Sequence, residues 1–120
     1  MVLVDSSVWI SHFKKSNVTL ATLLSDHEVM IHQFVWGEIA LGDFATRAEV
    51  LSLLRFLPPS VHASLEEALE FTERNDLPAK GISLIDVHLL ASAALSGCKL
   101  WTLDKNLKRS ADKLRVSYSP

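Results

Sequence analysis

Four acids stand where a carboxylate needs a reason. Asp5 directly follows the apolar run Val2-Leu3-Val4, and Asp104 directly follows Lys99 to Leu103, KLWTL. Glu38 lies among Phe34, Val35, Trp36, Ile39, Ala40 and Leu41, and Asp86 lies inside SLIDVHLLASA. A carboxylate in apolar surroundings is costly to bury unless it is paired or binds a metal. Each also has a plainer reading. Asp5 and Asp104 can start the helices that follow them. Glu38 can face solvent, the commoner fate of a helical Glu, whereas Asp86 has apolar neighbours on both sides. Taken together, acids in such surroundings would repel one another unless a cation sat among them. Oxygen ligands without clustered Cys or His select Mg²⁺ or Mn²⁺. Such an ion ionises a bound water and stabilises charge on a phosphoryl group, so metal-assisted phosphodiester hydrolysis is the expected reaction class.

The elements that must position these acids follow from periodicity. Val2 to Val4 is a strand, and Ser6 and Ser7 open a helix on which Trp9, Ile10 and Phe13 recur. Leu20, Leu23 and Leu24 mark a second helix, and Val29-Met30-Ile31 a short strand. Helices are predicted over Gln33 to Gly42, Ala45 to Leu57, and His62 to Arg74. Another runs from Ser83 through Leu95, ends at Gly97, and is apolar nearly all round, as a helix packed on several sides must be. Lys99 to Leu103 is a strand, Asn106 to Lys113 a helix, and Arg115-Val116-Ser117 a last strand. Short strands alternating with helices predict a parallel sheet covered on both faces. Ligands of such sheets bind beyond the carboxyl ends of the strands, where Asp5 and Asp104 fall.

Composition narrows the class. The chain has 120 residues, room for one domain, and 48% hydrophobic residues, ample for one core. Its formal net charge of −2 means that nucleic acid must be met by a local basic patch. The segment from Lys99 to Arg115 supplies one, with Lys105, Lys108 and Arg109 close behind Asp104; the segment from Glu66 to Asp76 is acidic. Solvated helix faces are the plainer reading of both runs. The single cysteine, Cys98, has no partner for a disulfide or a zinc site. Neither a signal-like N-terminus nor a run of membrane-spanning length is present, so a cytoplasmic protein is expected.

MVLVDSSVWI, WGEIALG, ISLIDVHLLASAA and LWTLDKNL, in that order, resemble the motif regions of PIN domains, and of VapC-type toxins in particular. The resemblance runs from Val2 to Leu107. It implies one PIN-like nuclease domain over 1–120, an α/β/α sandwich with a central parallel sheet of four or five strands. It implies that Asp5, Glu38, Asp86 and Asp104 line a pocket for one or two divalent ions, with Ser7 and Thr102 as supporting hydroxyls. It implies an endoribonuclease acting on RNA, a cognate antitoxin and a toxin homodimer. Asn106 departs from the pattern: many relatives carry an acid there, and an uncharged oxygen weakens the case for a second ion.

Other histidines and aromatics are expected to be structural. His88 lies two residues after Asp86, off its helix face. His12, His27, His32 and His62 are scattered without ligand spacing. Trp9, Trp36 and Trp101 sit in apolar-patterned elements and read as core. Two alternative functions remain. A receiver-like phosphoacceptor would need an acidic pair after the first strand and a mid-chain acid at a strand end, where this chain has Asp5 alone and helical Glu38 and Asp86. A catalytically silent module of PIN shape is the other.

Overall fold

The computed structural model describes residues 1–120. Three strands, β1 (Val2–Val4), β2 (Val29–Met30) and β3 (Lys99–Trp101), form one sheet in the order β2-β1-β3, all parallel. Val2, Leu3 and Val4 are all buried. Successive strand residues point to opposite faces, so burial of all three means that both faces of β1 are covered.

Seven helices supply the cover: α1 (Ser6–Lys14), α2 (Val18–Ser25), α3 (Gln33–Ala40), α4 (Arg47–Leu54), α5 (Leu65–Arg74), α6 (Leu84–Ser96) and α7 (Lys105–Lys113). Helix α6 is buried at every residue from Val87 to Ala93 and packs against α5 and β3, as its all-round apolar pattern predicts. It starts on a capping box in which Ser83 and Asp86 exchange hydrogen bonds, and it ends at Gly97 with φ +64°, a left-handed conformation that costs a glycine nothing. Helices α1 and α3 pack together, and α3 packs on α4.

The sheet has three strands, not the expected four or five. Arg115 to Ser117 makes only one bridge, Leu100 to Ser117. Arg115 has φ +60°, so the chain is still turning out of α7 there and becomes extended too late for a ladder. On the opposite edge Ile31 makes one bridge to Pro59, and Pro58, which accepts from the Ile31 amide, has no N–H to extend the ladder. Strand β3 also ends at Trp101 rather than Leu103. The N–H groups of Leu103 and Asp104 donate to the hydroxyls of Ser7 and Thr102, at 3.0 Å each, and leave the sheet. Asp104 is therefore the N-cap of α7 and not the last residue of a strand. Helix α4 is shorter than Ala45 to Leu57, and α5 begins at Leu65 rather than His62 because Ser64 and Glu67 form its capping box.

Candidate active site

The centre of the site is Asp5, where β1 gives way to α1. Its side chain is buried at 6% exposure. One carboxylate oxygen accepts from the Ser6 amide at 2.8 Å. The other accepts from the hydroxyls of Ser7 and Thr102, both at 2.7 Å. Each hydroxyl also accepts from the backbone leading to Asp104. Ser7 and Thr102 thus fix the orientation of Asp5 and tie the approach to Asp104 to it. Asp104 in turn accepts from the Leu107 amide at 2.9 Å while its side chain stays exposed.

Glu38 comes from α3 and is half-buried, with the Ser6 hydroxyl donating to it at 3.3 Å. Burial pushes its carboxyl above the usual range, and the negative charges of Asp5 and Asp86 push the same way against the Ser6 hydrogen bond. Asp86 lies on the first turn of α6, where its carboxylate accepts from the Ser83 amide at 3.0 Å. Burial raises its pKa too; the Ser83 hydrogen bonds oppose this, while Asp5 and Asp104 add to it. Asp5 acts on both Glu38 and Asp86, and Asp104 acts on Asp86. The structure therefore brings the four acids, from four separate elements, into one electrostatic neighbourhood.

Helix ends make this concentration of charge tolerable. Asp5 and Asp104 are the N-caps of α1 and α7, and Asp86 is in the first turn of α6. The unsatisfied amides of a helix N-terminus favour a carboxylate. No three acids, histidines or cysteines converge tightly enough to form a ready-made ion cage. A Mg²⁺-like ion does not require one, since it binds through one or two carboxylates and keeps several waters. The donors gathered here are all carboxylates and hydroxyls, which suits such an ion.

The basic residues behind Asp104 have different partners. Lys108 is paired with Asp112 at 3.3 Å. Arg109 donates to the Asn106 amide oxygen at 3.3 Å, and the Asn106 amide nitrogen donates to the Gly81 carbonyl at 3.3 Å. Asn106 thus clasps the start of α7 to the loop before α6, its oxygen directed to Arg109. Lys105 is exposed on the first turn.

Sequence spacing missed two groupings. Ser6 contacts Glu38, although only Ser7 stood out beforehand; its position beside an N-cap carried no signal. His32 meets His62, and His88 meets Phe34, although these pairs are distant in the chain. His32 is fully buried, pairs edge-on with His62 at 5.0 Å, and accepts from the Phe34 amide at 3.0 Å. His88 packs edge-on against Phe34 at 5.1 Å. Burial, with His62 and His88 adding, holds the His32 pKa down at about 4, so His32 is a neutral structural residue at physiological pH. Trp9 and Trp101 are core at 3% exposure, and Trp36 is half-buried beneath the Arg55 guanidinium.

Comparison with known proteins places this geometry. The family model described as PIN domain matches residues 2–113. The chain is 41% identical to the protein named Ribonuclease VapC32 from Mycobacterium tuberculosis strain CDC 1551 / Oshkosh, over 99% of this chain and 97% of that one. The protein of that name from strain ATCC 25618 / H37Rv matches to the same degree. Among solved structures, PAE2754 from Pyrobaculum aerophilum is similar in fold, with a TM-score of 0.60 at 18% identity, covering 96% of this chain and 88% of that one.

Proposed function

Because the chain belongs to the PIN domain family, we propose that it is a Mg²⁺-dependent endoribonuclease and the toxin of a type II toxin–antitoxin pair, with residues 1–120 as its single nuclease domain. The observation that carries the reading is the buried Asp5, oriented by Ser7 and Thr102, whose neighbours Ser6 and Thr102 bond Glu38 and the Asp104 amide, in a chain 41% identical to a protein named a ribonuclease.

Asp5, Asp86 and Asp104 would hold the ion, Mg²⁺ or Mn²⁺, in part through the waters it keeps. When bound, such an ion supplies an activated water and neutralises charge on the phosphoryl oxygens. Asp5 brings a carboxylate already oriented by Ser7 and Thr102, so little reorganisation is needed. Glu38, biased toward its protonated form, is suited to exchanging a proton at its carboxylate with the attacking water or the leaving oxygen. A receiver-like reading has less support, because the mid-chain acids Glu38 and Asp86 lie on helices α3 and α6 rather than at strand ends.

Partners follow from the surface. A cavity of about 320 Å³ between α1 and α4 is lined by Trp9, Phe13, Val50, Leu53 and Leu57. A second, of about 240 Å³, shares Phe13 and includes Glu38. An apolar groove leading to an acid suits an antitoxin segment that seats apolar side chains and extends an Arg or Lys toward the acids. A homodimer and a cytoplasmic setting complete the reading. No helix is long and apolar enough to cross a membrane.

The test is to sequence RNA ends after expressing the wild type and Asp5→Asn in parallel. The wild type should generate new ends that need Mg²⁺ in vitro. Asp5→Asn should cut the rate at least tenfold, about 1.4 kcal/mol in the barrier, with its fold intact. Equal cleavage by both proteins would remove Asp5 from the mechanism.

A further inference from the structure

Beside the acidic centre lies a cavity of opposite sign. It has a volume of about 350 Å³ and is lined by Lys80, Asn106, Arg109, Ser110, Lys113 and the buried Leu77. Asn106, Arg109, Ser110 and Lys113 follow the 3-4-7 spacing of one helix face, and Lys80 reaches the same cavity from the loop before α6. The chain's two ion pairs are Met1 with Glu28 and Lys108 with Asp112, so the cavity's three cations have no acidic partner. Three unpaired positive charges in one concavity stand out in a protein of net charge −2.

Its place in the fold says what it serves. Asp104 caps the helix that carries Arg109 and Lys113. Along that axis Arg109 and Lys113 lie roughly 7 and 13 Å beyond Asp104, at 1.5 Å per residue. On the other side, the clasp from Asn106 to Gly81 joins the cavity to the loop leading to Ser83 and Asp86. Ala79 lines the cavity and its amide donates to no backbone carbonyl, so this loop adds one uncommitted donor. A centre of four acids repels a polyanion. Cations held one or a few phosphates away offset that repulsion without neutralising the acids.

Resting on the ribonuclease reading above, we infer that this cavity is a subsite for a backbone phosphate of the RNA flanking the bond that is cut. Lys80, Arg109 and Lys113 supply the charge, and Asn106 and Ser110 supply neutral hydrogen-bonding groups. Lys108, paired with Asp112, does not line it, and neither does Lys105.

The experiment measures the affinity of the full chain for a single-stranded RNA oligonucleotide across a salt series, in an Asp5→Asn background that keeps the RNA intact. Adding Lys80→Ala, Arg109→Ala and Lys113→Ala should weaken binding at least tenfold and flatten the log–log salt slope by at least about 0.7, the loss of one phosphate contact. Lys105→Ala with Lys108→Ala should change affinity less than threefold. Exposed Lys113→Glu serves as the second variant should the triple one unfold, and it should also flatten the slope. An unchanged slope in a folded variant, or an equal effect of the Lys105 and Lys108 pair, would overturn the inference. So would stabilisation by inorganic phosphate that needs the three cations while RNA binding does not, which would mark a free-anion site. RNA bound through these cations but left uncut by wild-type protein with Mg²⁺ would instead sink the ribonuclease reading and leave the subsite standing.

Discussion

At the residue scale, Glu38 and Asp86 work against their own charge. Both carboxyls are raised by burial and by neighbouring acids. A group whose folded pKa exceeds its unfolded value favours folding at low pH, and that contribution is lost as pH rises through the folded pKa. Without a divalent ion, Glu38→Gln should therefore raise the melting temperature at pH 8, since the amide keeps the Ser6 contact and drops the charge. The advantage should shrink as pH falls through the raised folded pKa toward the ordinary carboxylate value, because Glu38 is then neutral in the folded protein. Melting curves of the two proteins in a chelator, from pH 8 down to 4, read this directly. A Gln variant less stable than wild type at pH 8 would mean that Glu38 is held by favourable contacts rather than opposed by its neighbours.

At the element scale, capping explains much of what position and spacing had left open. Asp86 looked hard to place because Ile85 and Val87 flank it. Yet Ser83-x-x-Asp86 before an apolar run is itself a capping-box pattern, and it puts Asp86 on the first turn, where a carboxylate can project past the helix end. The order and type of the elements were legible from local patterns, as were Asp5 and Asp104 at chain reversals. Helix ends and the length of β3 were not, because Ser64 and Thr102 decide them through hydrogen bonds to residues or amides that periodicity does not weigh. Ser83→Ala should cost about 1 kcal/mol in urea unfolding, the usual loss for a helix cap. It should also weaken divalent-ion binding modestly at neutral pH, because the Ser83 hydroxyl helps hold Asp86 toward ionisation while the Ser83 backbone N–H, which alanine keeps, supplies the larger share. Ser64→Ala, which breaks the equivalent box of α5, should cost similar stability and leave ion binding unchanged. Equal effects of both on ion binding, measured by calorimetry, would reduce the Ser83 role to stability alone.

At the scale of the whole molecule, what matters lies far apart in sequence and was not legible there. Ring contacts join His32 to His62 and Phe34 to His88, and the cationic cavity joins Lys80 to α7. No periodic pattern reports contacts that only the folded sheet creates. The acidic centre was legible mainly through the order of four short motifs. The apolar groove of α1 and α4 ends at Leu53, which is 62% exposed although it lines the cavity. Leu53→Asp should then leave the melting temperature within about 3 °C, as surface changes usually do. It should abolish co-purification with the proposed antitoxin and restore growth inhibition in cells that express both. Unaltered co-purification would move the partner to another face.

The single-bridge edges of the sheet carry a further consequence. Strand β2 has two residues, and Ile31 already exchanges hydrogen bonds with Pro58 and Ser60. On the far side, Leu100 is occupied in the same way by Val116 and Tyr118. An edge strand invites aggregation when it offers a long unpaired ladder, and both borders here are short and already covered. Strand addition is thus closed to newcomers, whether a second copy or a foreign peptide. Crowding many copies together should not seed fibrils, and any lasting assembly of this protein must be built through its helices.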